Sequence, residues 1–155
     1  IPSNKETKNI LLWRPSDISE IEVVTGKGGD WILVIKSATN VLRGDNFVFV
    51  SPDLQENKLI VKRGEIITST ILRKSDINYK SINSTIKNLM RQTRDEMQLK
   101  GSIVNEITTR GDFIKKIRDS LNVNQNLSYQ LEVVSLKDSK TAEPIIVELN
   151  IIPLQ

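Results

Sequence analysis

Ile82, Ile86, Leu89, Met90, Thr93 and Met97 recur at helical spacing, whereas the segments before and after them alternate every second residue or form short apolar runs. A chain that carries both periods must bring a helix layer against strands. The helical stretch runs from Lys80 to Lys100, and Gly101 stands where a C-terminal cap belongs.

Upstream of that helix, Ile18 to Leu72 reads as strands. Ile21-Glu22-Val23-Val24 alternates, and Trp31 to Ser37 is a longer apolar run; Thr25-Gly26-Lys27-Gly28-Gly29-Asp30 between them suits a hairpin loop. After the turn cluster Arg43-Gly44-Asp45-Asn46 comes Phe47-Val48-Phe49-Val50, read as stopped by Ser51-Pro52-Asp53. Lys58 to Lys62 and Ile66 to Leu72 follow as two further strands. Downstream, Asp112 is placed to cap a second helix carrying Phe113, Ile114, Ile117 and Leu121. Residues 102–109 are ambiguous, with Ile103, Val104 and Ile107 suiting a short strand. Two strands, Ser128 to Leu136 and Pro144 to Leu154, close the chain.

The expected fold class is therefore α+β: two strand-turn-strand units, over 18–72 and 128–154, flanking helices over 80–100 and 112–121. The rhythm of Leu33–Ser37, a polar turn, then Phe47–Pro52 recurs in Leu131–Ser135, a polar turn, then Val147–Pro153. Either duplication or two independent hairpins would give that. The 155 residues suit a single domain over 10–155 with its own core, preceded by a polar linker over 1–9. Aromatic residues are only 5% of the chain, so Ile, Leu and Val must build that core. The chain opens without Met and is read as excised from a longer one. Its longest apolar runs fall far short of the roughly 20 residues a membrane helix needs.

The chain has neither Cys nor His. That removes disulfides, thiolate nucleophiles, the ordinary zinc sites and imidazole proton shuttles. No metal site and no cofactor is expected. Asp95 and Glu96 are adjacent on the helix, so their side chains diverge by about 100° and cannot serve one substrate atom. Glu65 follows a turn glycine and could be presented at a cleft, yet no partner for it can be named. A carboxylate-based hydrolase stands as the catalytic alternative and requires two acidic side chains facing each other across a pocket.

Charge is unevenly distributed. Residues 58–118 hold 14 Lys/Arg against 6 Asp/Glu, and the remainder holds 8 against 13. Lys80, Lys87, Arg91 and Arg94 project within a narrow arc of the first helix, outside its apolar stripe. These four are the candidate anion-binding residues. Like charges four apart, as Lys87 and Arg91 are, cost roughly 0.2–0.5 kcal/mol in an isolated helix, which a phosphate backbone or an anionic surface would offset. The alternative is a solvated face. No aromatic residue interleaves with the stripe, as single-stranded nucleic acid would require.

Other motifs have simpler readings. Gly26-Lys27-Gly28-Gly29 precedes a strand, not a helix, so it is no phosphate loop. Arg110-Gly111-Asp112 is a turn glycine before a capping aspartate. Asn83-Ser84-Thr85 and Asn126-Leu127-Ser128 match the glycosylation sequon by composition, the first inside the helix.

Ser37–Asp45 leading to a strand, Leu59–Ile67 leading to Thr70-Ile71, the helix over Leu89–Gly101 and the closing Glu143–Pro153 occur in an order that resembles the C-terminal domain of an uncharacterised, mainly cyanobacterial family of membrane-anchored coiled-coil proteins. The resemblance covers residues 30–154, although the helix is richer in Lys, Asn and Met than the Ala- and Arg-rich pattern of that family. It implies membrane helices and a long coiled coil upstream, and no known functional residues; the side of the membrane is left open, the extracytoplasmic side being favoured. The expected function is a non-catalytic interaction or structural domain at the end of such a protein, with a protein partner or self-association; the alternative is an anion or nucleic-acid binder using the basic helix face.

Overall fold

The computed structural model describes residues 10–42, 47–123 and 127–154. The sequence readings at 1–9, at Arg43–Asn46 and at Asn126 lie outside them. The described residues pack as two compact units, one up to Asn57 and one from Lys58, and the fold is mixed α+β.

The first unit contains β1 (Ile10–Leu12), α1 (Pro15–Thr25), β2 (Trp31–Ser37) and β3 (Phe47–Glu56). Its sheet runs in the order β1-β3-β2, with β1 parallel and β2 antiparallel to β3. Two readings are corrected here. Ile21–Val24 is helical, not a strand: Pro15 opens the helix, Arg14 Nε bonds Asp17 in its first turn at 3.2 Å, and Ile18, Ile21 and Val24 repeat at three. A four-residue alternation is too short to outweigh those start signals. The following glycines therefore end a helix and do not turn a hairpin; Gly26 N–H bonds Glu22 O.

The second correction concerns Pro52, which does not stop its strand; β3 continues through it to Glu56. Ala38 N–H bonds Phe49 O and Asn57 N–H bonds Asp30 O, so even-numbered residues of β2 form the hydrogen-bonded pairs with β3. Ile35 and Pro52 consequently oppose one another in a non-hydrogen-bonded pair, and the N–H that proline lacks would have pointed away from β2. On that side β1 pairs only as far as Phe49.

The second unit contains β4 (Leu59–Val61), β5 (Ile66–Leu72), a 3-10 turn over Lys74–Asp76, α2 (Tyr79–Leu99), β6 (Ile107–Thr109), α3 (Phe113–Val123), β7 (Ser128–Ser135), β8 (Ser139–Lys140) and β9 (Ile145–Leu154). Its main sheet is ordered β5-β7-β9-β6, antiparallel except for β6 and β9, and β4 pairs with β8. Both helices form where the apolar period placed them. Asn78 and Ser81 make a reciprocal capping box at the start of α2. At its end Ser102 N–H reaches Met97 O and Gly101 N–H reaches Gln98 O, which needs a left-handed residue at Gly101 (φ +102°). Asp112 Oδ1 accepts from Lys115 N–H at 3.1 Å to begin α3.

Alternation along β7 and β9 puts Tyr129, Leu131, Val133, Ile145, Val147 and Leu149 on the face beneath the helices. They pack with Leu72, Ile82, Leu89, Met97, Phe113, Ile117 and Leu121 in one continuous core. The first expected strand-turn-strand unit is thus divided: its β2–β3 hairpin stays in the first unit, while β4 and β5 join β8 and β7 in the second.

One topology occurs twice. The first unit runs strand (3 residues), helix (11), strand (7), strand (10); β6, α3, β7 and β9 run 3, 11, 8 and 10. In both, the short strand lies parallel to the last strand and the middle one lies antiparallel to it, in the same spatial order. The recurring hairpin rhythm in the sequence is the second half of this larger repeat.

Candidate functional site

The helical period carries Lys80, Lys87, Arg91 and Arg94 to the solvent side of α2, opposite buried Ile82, Leu89, Thr93 and Met97. At about 1.5 Å per residue the stripe is about 21 Å long. Arg94 Nε donates to Asn105 O at 3.4 Å. Lys80, Lys87 and Arg91 have no ion-pair partner among the described residues.

Beside the N-terminal end of this stripe is a cavity of about 470 Å³. Lys74 and Arg118 give it positive charge, Asn78, Tyr79 and Asn122 give it hydrogen-bonding groups, and Ile77, Ile82 and Leu121 give it an apolar lining. Arg118 stacks over the Tyr79 ring with its guanidinium carbon 4.7 Å from the centroid. The Asn83 side chain hydrogen-bonded to the phenol, with the Arg118 charge second, holds Tyr79 below its ordinary range. Such a lining suits an anionic group attached to an apolar body. The sequence reading did not find this cavity, because Lys74 and Arg118 are far apart in the chain and no local pattern joins them.

Glu65, the carboxylate expected in a turn, is engaged. Its Oε2 accepts from Lys62 N–H at 3.0 Å and its Oε1 from Lys100 Nζ. The Lys100 bond is the larger reason its carboxyl lies below the ordinary range. Asp95 and Glu96 are both exposed on α2.

The first unit offers a different kind of surface. Among its described residues Val50 is the one buried hydrophobic side chain. On the α1 side of the sheet, where Ile21 and Val24 border Pro52 and Leu54, the side chains of Leu11, Leu33 and Ile35 are exposed. On the other side Phe47 and Phe49 meet edge to face at 6.0 Å and are 55% and 50% exposed, with Ile10 beside them in register. Apolar groups are thus exposed on both faces of this one small sheet. No helix of the described residues is long and apolar enough to cross a membrane. No protein-family model, curated protein or solved structure matches the chain.

Proposed function

We propose that the chain is a non-catalytic interaction domain in which the second unit is the stable body and the first unit makes the contacts. One observation carries this reading: the second unit buries a continuous core, while the first, among its described residues, keeps a single hydrophobic side chain buried and leaves apolar residues exposed on both faces of its sheet. Burial of apolar surface drives association, so a sheet of this kind gains from a partner what it does not gain from its own core. The setting as the end-piece of a membrane-anchored coiled-coil protein rests on the resemblance of its motifs alone.

A comparison of baits tests the reading. Wild type, Phe47→Ser/Phe49→Ser and Arg91→Glu/Arg94→Glu chains are each immobilised, and the captured proteins other than copies of this chain are compared. Partners should be lost with the phenylalanine pair and kept with the arginine pair. Saturable turnover of a small substrate, undiminished in the phenylalanine variant, would overturn the reading.

The cavity between Lys74 and Arg118 favours a second reading, in which this end of α2 and the stripe of Lys80, Lys87, Arg91 and Arg94 together hold an anionic ligand or nucleic acid. Binding that survives high salt would count against it.

A further inference from the structure

We infer that the open edge of β2 is the seam of a two-fold dimer, in which β2 of one copy pairs antiparallel with β2 of another about Val34. The inference rests on reading the first unit as a contact surface and names what it contacts.

The repeat within the chain is the first support. β7 occupies the position in its repeat that β2 occupies in the first unit, and its far edge is taken by an antiparallel strand, β5. The matching edge of β2 has no strand along it among the described residues. It presents seven residues, Trp31–Ser37, with no proline and no glycine, and Lys36 is its one charged side chain. Edges of this length are ordinarily guarded by several charges, a bulge or a proline.

Backbone geometry selects the register. Even-numbered residues of β2 bond to β3, so Trp31, Leu33, Ile35 and Ser37 turn their N–H and C=O groups outward. A two-fold axis at Val34 pairs Leu33 with Ile35 of the second copy and Trp31 with its Ser37, which joins outward groups to outward groups over all seven positions. Centring the axis on a neighbouring residue shortens the ladder. The same register sets Leu33 and Ile35 of both copies side by side on the α1 face, and it places Lys36 opposite Ile32, so no like charges face each other. The interface is isologous and closes at two copies.

Because the chain has no cysteine, Val34→Cys introduces one thiol per copy. Residues on the axis form a non-hydrogen-bonded pair with Cα atoms about 4.5 Å apart, inside the roughly 4.4–6.8 Å window of a disulfide. Under an added disulfide oxidant this variant should form a covalent dimer, whereas Val23→Cys on exposed α1 should stay monomeric at the same concentration. In sedimentation equilibrium the wild type should be a dimer. Ile35→Pro removes only an outward N–H and should be a monomer with its far-ultraviolet circular dichroism kept. A wild type that stays monomeric up to its solubility limit overturns the inference, as does equal cross-linking at both positions. Either result leaves the contact-surface reading standing, since that falls only on the bait comparison.

Discussion

Thr68 Oγ1 lies 2.7 Å from Thr93 Oγ1, where α2 packs on β5. Thr93 is fully buried and its hydroxyl donates to Leu89 O at 2.8 Å, so the proton between the two threonines belongs to Thr68. The consequences of losing each hydroxyl therefore differ. Thr93→Val leaves the Thr68 hydroxyl without its acceptor in a half-buried place and should cost about 1–2 kcal/mol. Thr68→Val leaves the bond to Leu89 intact and should cost less than about 1 kcal/mol. The double variant should fall short of the sum, because the second change removes the orphan the first created. Urea unfolding of the four proteins measures this; a larger loss for Thr68→Val than for Thr93→Val would refute the assigned direction of donation, and additive losses would refute the bond itself.

Glu65 ties the β4–β5 turn to the end of α2 through Lys100. Its carboxyl is depressed below the ordinary 4.5, first by the Lys100 bond and then by Lys62 N–H. A carboxyl with a lowered folded-state value contributes stability that is fully present above its unfolded value and lost as pH falls through the folded one. Both side chains are about a third exposed (36% and 35%), so screening keeps the contribution below about 1 kcal/mol. The stability gap between wild type and Glu65→Gln should be open at pH 7 and should close below pH 4.5, in the range where the folded-state carboxyl takes up its proton. A gap that is unchanged in acid would show that the pair contributes nothing electrostatic.

Strong periodicity made α2 legible: Ile82, Leu89, Thr93 and Met97 were read onto one face and are all buried there. The same held for α3, where Phe113, Ile117 and Leu121 repeat at four. α1 was not legible, since Ile18, Ile21 and Val24 cover a narrow stripe and four of its residues also alternate like a strand. Pro52 misled because its position relative to hydrogen-bonded pairs is a property of the ladder, which the sequence does not print. The partners of β4 and β5 lie some sixty or more residues away in β8 and β7, and only the hairpins, whose strands are neighbours in the chain, could be paired from spacing. The basic stripe was legible because all four cations share one helix. Its neighbour, the cavity of Lys74 and Arg118, required tertiary structure.

That stripe yields a quantitative expectation if it holds a polyanion. Each phosphate contact contributes close to one to the slope of log affinity against log salt. Arg91→Glu/Arg94→Glu should therefore lower that slope by about 2 with duplex DNA or heparin as the probe, and weaken binding uniformly across sequences. Lys74→Ala/Arg118→Ala at the cavity should weaken a ligand that carries both an anionic group and an apolar part more than it weakens inorganic phosphate. An unchanged salt slope in the first variant would leave the stripe as a solvated face.

Hydrogen exchange should separate the two units. Amides of β7 and β9 are held by neighbours on both sides within the sheet and by side chains such as Leu131, Val133, Val147 and Leu149, which are fully buried; they should exchange only by global unfolding. Among the described residues of β2 and β3 Val50 is the one fully buried hydrophobic side chain, so their amides should open locally and exchange sooner. Within β2 the amides of Ile32 and Val34 point to β3, whereas that of Leu33 points outward; Leu33 should exchange faster than its two neighbours in the monomeric Ile35→Pro variant and as slowly as they do in the dimer. Val50→Ala removes the buried side chain at a cost of about 2 kcal/mol, enough to lower protection in β3 by about tenfold or more. The same change should leave β7 and β9 untouched if the units open independently. Loss of protection in both units together would mean that the first unit is stabilised through the second, and the division of labour between a stable body and a contact-making sheet would have to be abandoned.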